Sequence, residues 1–128
     1  LEAAIARGQA FAEAGADIIF VEALETEQEM RRACAEIDAP LVANMATGGR
    51  TPILSNADLK SLGFAAAIYP TLAALSAVQA IYQAFAEMKE TGTGNLSKTE
   101  TFDFMRFCRL VGFEEVWAFE EKWKDVLD

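Results

Sequence analysis

The sequence contains no histidine, and cysteine, proline and basic residues are scarce. Its 128 residues include 2 Cys, 3 Pro and 11 Lys plus Arg, against 20 Asp plus Glu. Without histidine, Ser-His-Asp catalysis, Cys-His catalysis and His-based metal sites are excluded within this segment. The net charge of -9 repels nucleic acid and anionic membrane, so neither is expected as a partner. An anionic substrate would call for a bound metal or for cations from outside the segment. Cys34 and Cys108 have no motif spacing and read as reduced, buried, inert thiols of a cytoplasmic protein. No run approaches the ~18 apolar residues of a membrane span, and the N-terminus has no signal-peptide pattern. The sequence opens inside a helical pattern at Leu1-Glu2-Ala3-Ala4-Ile5, without a cap or an initiator Met, and is read as beginning mid-protein.

What is present is apolar and periodic. Apolar residues make up 52% of the chain, enough for a core. The length is only about half of the roughly 250 residues of a closed eight-stranded α/β barrel. Residues 1–14 form an Ala-rich helical pattern stopped by Gly15. Residues 17–22, Asp-Ile-Ile-Phe-Val-Glu, form a continuous apolar run ending on an acid, which reads as a strand buried on both faces. A helix over 26–37 follows, with Thr26 and Glu29 spaced as a capping box. The second strand, 41–43, ends at Asn44, and a loop runs over 45–52. Ser55 or Asn56 caps a short helix ended by Gly63. The third strand spans 64–69 and closes at Pro70. A helix over about 72–89 and a loop over 90–95 lead to two aromatic helices, 99–111 and 113–126, broken at Gly112. Alternating strands and helices predict parallel βαβ units. Three strands alone would leave long apolar edges open. The expected organisation is barrel-type units over 1–90 and a helical segment over 91–128 that packs on a neighbouring subunit.

In α/β barrels the chemistry lies at the C-terminal ends of the strands, here Glu22, Asn44 and Tyr69-Pro70. A carboxylate beside a buried strand suits Mg²⁺, directly or through water, or it is an ordinary loop partner. Asn44 can both donate to and accept from a substrate carboxylate or carbonyl, or it serves turn bonding. Gly48-Gly49 can present amides to an anion or mark a turn. Arg50 can meet an anion or be a surface charge. The tail aromatics read first as packing.

Residues 10–23 (Ala-Phe-Ala-Glu-Ala-Gly-Ala-Asp-Ile-Ile-Phe-Val-Glu-Ala) resemble the isocitrate lyase / phosphoenolpyruvate mutase superfamily. So do Pro40 to Met45, Gly48 to Pro52, Gly63 through Pro70, and Leu110-Val111-Gly112-Phe113. The branch most similar contains methylisocitrate lyase, oxaloacetate decarboxylase and carboxyphosphonoenolpyruvate phosphonomutase. It often carries Asn-Met-x-Glu-Gly-Gly, and Thr47 stands here in place of that Glu. The resemblance implies an α/β fold, the C-terminal half of a (β/α)8 TIM barrel plus C-terminal helices. It implies an Mg²⁺ (or Mn²⁺) lyase or phosphonomutase acting on small dicarboxylate or phosphonate α-oxyacids through an enolate. Glu22 is then the acid near the metal, reached through water. Asn44 binds a substrate carboxylate, with Thr47 and Gly48 as further substrate contacts. It also implies a homo-oligomer, a tetramer with swapped C-terminal helices. The direct metal aspartates, the gating loop and a substrate arginine of the family lie upstream of the matched residues. The competing expectation is a catalytically silent barrel fragment that serves assembly through its aromatic tail.

Overall fold

A computed structural model describes residues 1–127, with side chains through residue 124. Helix α1 (Glu2–Glu13), strand β1 (Ile19–Phe20), α2 (Glu27–Glu36), β2 (Leu41–Asn44), α3 (Asn56–Leu62), β3 (Ala66–Ile68) and α4 (Leu72–Thr91) alternate as expected. Helices α5 (Phe104–Leu110) and α6 (Phe113–Leu127) complete the order. The chain divides into two compact units, Leu1–Gln79 and Ala80–Asp128.

In the first unit the sheet is parallel, in the order β1-β2-β3. Ile19 pairs with Leu41 and Phe20 with Val42, while Val42, Ala43 and Asn44 pair with Ala66, Ala67 and Ile68. Successive side chains on a strand point to opposite faces. Ile19, Leu41 and Ala43 are buried under Ile5 of α1, Met30 and Ala33 of α2, Ile37 just after it, and Leu59 and Leu62 of α3. Burying each such large aliphatic side chain stabilises by ~1.5–3 kcal/mol. Gly8 lets α1 approach closely, because a Cβ there would lie 2.6 Å from Ile37 Cδ1.

The opposite sheet face departs from the expected two-sided burial. Phe20 and Ile68 are each 47% exposed, and Val42 and Asn44 are half-buried. The apolar runs are the right length for a face covered on both sides, but helices cover only one side among the described residues. The strands are also shorter than the apolar runs. Residues gain strand pairing only where β2 faces them: Ile19 donates to Pro40 O at 2.8 Å, and Phe64 N is instead taken by Leu59 O at 3.1 Å.

Local signals explain the helix ends. Thr26 Oγ1 accepts from Glu29 N at 3.1 Å, while Glu29 Oε2 accepts from Glu25 N at 2.7 Å, one residue before the usual box position. Ser55, rather than Asn56, caps α3 by accepting from Asp58 N. Gly63 ends it at φ 110°, a left-handed conformation suited to glycine, and a Cβ there would lie 3.0 Å from Cys34 Cβ.

In the second unit α5 starts at Phe104, capped by Asp103, rather than at residue 99. Asp103 Oδ1 accepts from Arg106 N at 2.8 Å and fixes that start. The loop before it is held by Glu87, a buried carboxylate that the sequence did not flag. Its Oε1 accepts from Ser97 N at 2.6 Å and Lys98 N at 2.9 Å, and Oε2 accepts from Thr99 N at 2.7 Å. Those amides lie in the loop between α4 and α5. The same bonds lower the Glu87 carboxyl to about 2. Along the tail, Phe113 packs tilted against Trp117, with ring centroids 6.2 Å apart, and Phe119 against Trp123 at 6.4 Å. Phe104, Phe107, Leu110 and Phe119 remain at least half exposed. Both cysteines are free thiols; Cys108 is buried, and desolvation raises Cys34 to about 11, which keeps it unreactive. No helix among the described residues is long and apolar enough to cross a membrane.

Candidate active-site rim

The three parallel strands place their C-terminal ends side by side, and Glu22, Asn44 and the Tyr69-Pro70-Thr71 turn follow there. Asn44 is held within the sheet. It lies within β2 opposite Ile68, and the next residue continues the ladder, Met45 N donating to Ile68 O at 2.8 Å. By alternation its side chain shares a face with Phe20, Val42 and Ile68, away from the helices. Asn44 Oδ1 is buried and has no hydrogen-bond partner among the described residues. Buried acceptors are nearly always satisfied, so an orphan at a strand end marks a place for a ligand or an apposed group.

Glu22 lies two residues past β1 and is exposed. Its Oε1 accepts from Ala23 N at 3.0 Å, and Ala23 adopts φ 55°, an uncommon conformation for a residue with a Cβ. Such strain persists only where surrounding structure enforces it, here the turn that carries Glu22 off the strand and lets Leu24 reach the core. Thr47 and Gly48 sit on the loop after Asn44 and are exposed, with Gly48 at φ 83° and Gly49 N bonded to Ala46 O at 3.1 Å. The loop is therefore a turn at its tip. Its base is fixed by the buried Met45, whose Sδ accepts from Leu54 N at 3.5 Å. Arg50 on this loop forms an ion pair with Glu25, which follows β1.

Thr71 is a rim residue that the sequence reading passed over. It directly precedes α4, and its carbonyl accepts from Leu75 N at 2.9 Å, so it occupies the capping position. A threonine there normally caps through its hydroxyl. Instead its Oγ1 is buried without a partner among the described residues. The available signal was a hydroxyl one residue beyond the proline that closes the third strand. Two orphaned oxygens thus stand at the ends of neighbouring strands.

Residues 1–89 match the family described as phosphoenolpyruvate phosphomutase. The chain belongs to this family. Its relatives within the phosphoenolpyruvate mutase / isocitrate lyase superfamily are named lyases and mutases. The chain is 40% identical to a 2,3-dimethylmalate lyase of Eubacterium barkeri over 116 residues, 91% of this chain and 40% of that protein. It is 43% identical to a 2-methylisocitrate lyase of Bacillus subtilis over 93 residues, 73% of this chain and 31% of that protein. A crystal structure of 2,3-dimethylmalate lyase superposes with a TM-score of 0.81 at 31% identity, covering 95% of this chain and 43% of that one. A phosphonopyruvate hydrolase in complex with oxalate and Mg²⁺ superposes with a TM-score of 0.77 at 28% identity, covering 95% of this chain and 44% of that one. The chain therefore spans less than half the length of these relatives.

For a metal, the described residues offer a partial fit. No group of three or more His, Cys, Asp and Glu among them could hold an ion. Glu22, exposed at a strand end, suits a carboxylate that receives a hydrogen bond from a metal-bound water.

Proposed function

We propose that this chain is the C-terminal half of a (β/α)8 barrel in an Mg²⁺- or Mn²⁺-dependent enzyme that cleaves C–C or P–C bonds of small dicarboxylate or phosphonate α-oxyacids. The observation that carries the reading is the orphaned Asn44 Oδ1 on the uncovered sheet face at the strand ends. An acceptor there receives a hydrogen bond from a substrate hydroxyl or water, and the same amide can donate to a carboxylate. Thr71 Oγ1 supplies a second polar atom, and the Thr47-Gly48 turn borders the opening. Glu22 accepts from water and holds it in one orientation. The metal, when bound, supplies Lewis-acid stabilisation of the negative charge that develops on the oxyacid. Its direct ligands belong to parts of the protein outside residues 1–128. The face bearing Phe20 and Ile68 is the barrel interior in this reading, covered by the remaining strands.

The exposed tail aromatics support assembly into a tetramer by swapping of α5 and α6 between subunits. Thr47, in place of an acid common in one branch, leaves room for a second reading in which the chain serves assembly alone. Calorimetric titration of the full-length protein with oxalate, with and without Mg²⁺, separates the two. Mg²⁺-dependent oxalate binding supports the enzyme, and its absence in folded protein refutes it.

A further inference from the structure

Resting on that reading, we propose that Arg50 recognises a second anionic group on the substrate, distal to the oxyacid core, and that Glu25 holds it in reserve until substrate binds. The segments following the three strands, residues 21–26, 45–55 and 69–71, contain one basic residue, Arg50, and two acids, Glu22 and Glu25. A dianionic substrate approaching this rim meets two negative charges and one source of positive charge within the chain. Arg50 lies at the exposed tip of the loop after Asn44, its side chain 73% exposed. It is thus farther from the strand ends than Asn44 or Thr71, where the remote end of a longer substrate would extend.

The ion pair is built for exchange. It joins Arg50 Nη2 to Glu25 Oε1 at an exposed site, while a guanidinium carries five donors in a fork that matches a carboxylate or phosphonate. A pair this exposed contributes little, so replacing Glu25 by a ligand anion is not opposed. The two partners differ in freedom. Glu25 is anchored, its backbone N–H bonded to Glu29 Oε2 at 2.7 Å on the first turn of α2. Arg50 follows Gly48-Gly49, and a Cβ built on Gly48 meets nothing within 4 Å, so space is open beside Gly48. The more exposed partner, at 73% against 48%, carries the cation, and the anchored one carries the competing carboxylate.

The test compares binding of oxalate, which has no distal group, with binding of oxaloacetate, which has one. Both are titrated into full-length protein with Mg²⁺. Arg50→Ala is expected to weaken oxaloacetate ~10-fold or more while leaving oxalate unchanged. Arg50→Lys should recover part of the loss. Glu25→Gln should act in the opposite direction, tightening oxaloacetate ~2- to 5-fold, because it removes a competitor. The Arg50 side chain is largely exposed and that of Glu25 about half exposed, and neither belongs to the core, so the variants leave the core intact. The proposal is overturned if Arg50→Ala leaves oxaloacetate affinity unchanged or weakens both ligands equally. It is also overturned if Glu25→Gln weakens binding as Arg50→Ala does, which would make the pair a brace. Loss of oxalate binding by the wild type would instead refute the functional reading beneath it.

Discussion

Replacing Asn44 with alanine should separate stability from function. Among the described residues Asn44 Oδ1 is buried without a partner. Leaving an acceptor in that state costs ~1–3 kcal/mol, and truncation removes the cost. The half-buried side chain gives up some packing in exchange, so the net change is a gain of about 1 kcal/mol or near zero. For a protein of the relatives' size, 1 kcal/mol moves Tm by ~2–4 °C. Binding moves the other way. A hydrogen bond to a charged ligand is worth ~1.5–3 kcal/mol, which is about 10- to 100-fold in affinity. The assay pairs a thermal melt of full-length Asn44→Ala with an oxalate titration in Mg²⁺. An unchanged or higher Tm with oxalate weakened by at least ~10-fold is expected. A variant that melts several degrees lower and binds oxalate like the wild type would make Asn44 a structural residue and refute the reasoning.

Glu22→Gln should lower Mg²⁺-dependent turnover of the full-length protein by ~10-fold or more, as for residues that orient metal ligands; unchanged dependence on Mg²⁺ concentration contradicts the role. Gly63→Ala should destabilise by about 1–2 kcal/mol, from its φ of 110° and the 3.0 Å approach to Cys34 Cβ, read as a fall in the urea midpoint; no change would mean the turn relaxes. Glu87 is held at about 2 in the folded chain, below its ordinary 4.5, so it stabilises above pH 4.5 and that contribution fades as pH falls towards 2. Glu87→Gln should therefore destabilise at neutral pH and flatten this acid dependence, measured by denaturant melts at several pH values. Truncation after Glu100 keeps the amides of 97–99 on Glu87 and removes both tail helices; sedimentation should show smaller oligomers, and an unchanged oligomer contradicts the swapped-helix arrangement.

The α/β order was legible because each strand is a short apolar run and each helix carries its own start or stop residue. Thr26, Ser55 and Gly63 all act as their types predict. Strand lengths were less legible, since apolar runs such as 17–22 extend past the residues that find a partner in β2. The start of α5 was read too early because Asp103, not the Thr99 region, caps it, and the loop over 97–99 is held by Glu87, ten to twelve residues upstream. At the rim, Glu22 and Asn44 were visible from position at strand ends. Thr71 was not, because a threonine before a helix reads as a cap, and only the structure reveals that its hydroxyl caps nothing. The Arg50–Glu25 pair joins residues 25 positions apart on two loops, a proximity set by the parallel pairing of β1 and β2.

The most direct test of the central claim is turnover by the full-length protein with Mg²⁺ of 2-methylisocitrate, 2,3-dimethylmalate, oxaloacetate and phosphonopyruvate, followed by NMR of the products. The account predicts Mg²⁺-dependent C–C or P–C cleavage of at least one of these acids, abolished by chelation of the metal. Folded protein that leaves all four untouched in the presence of Mg²⁺ would contradict it.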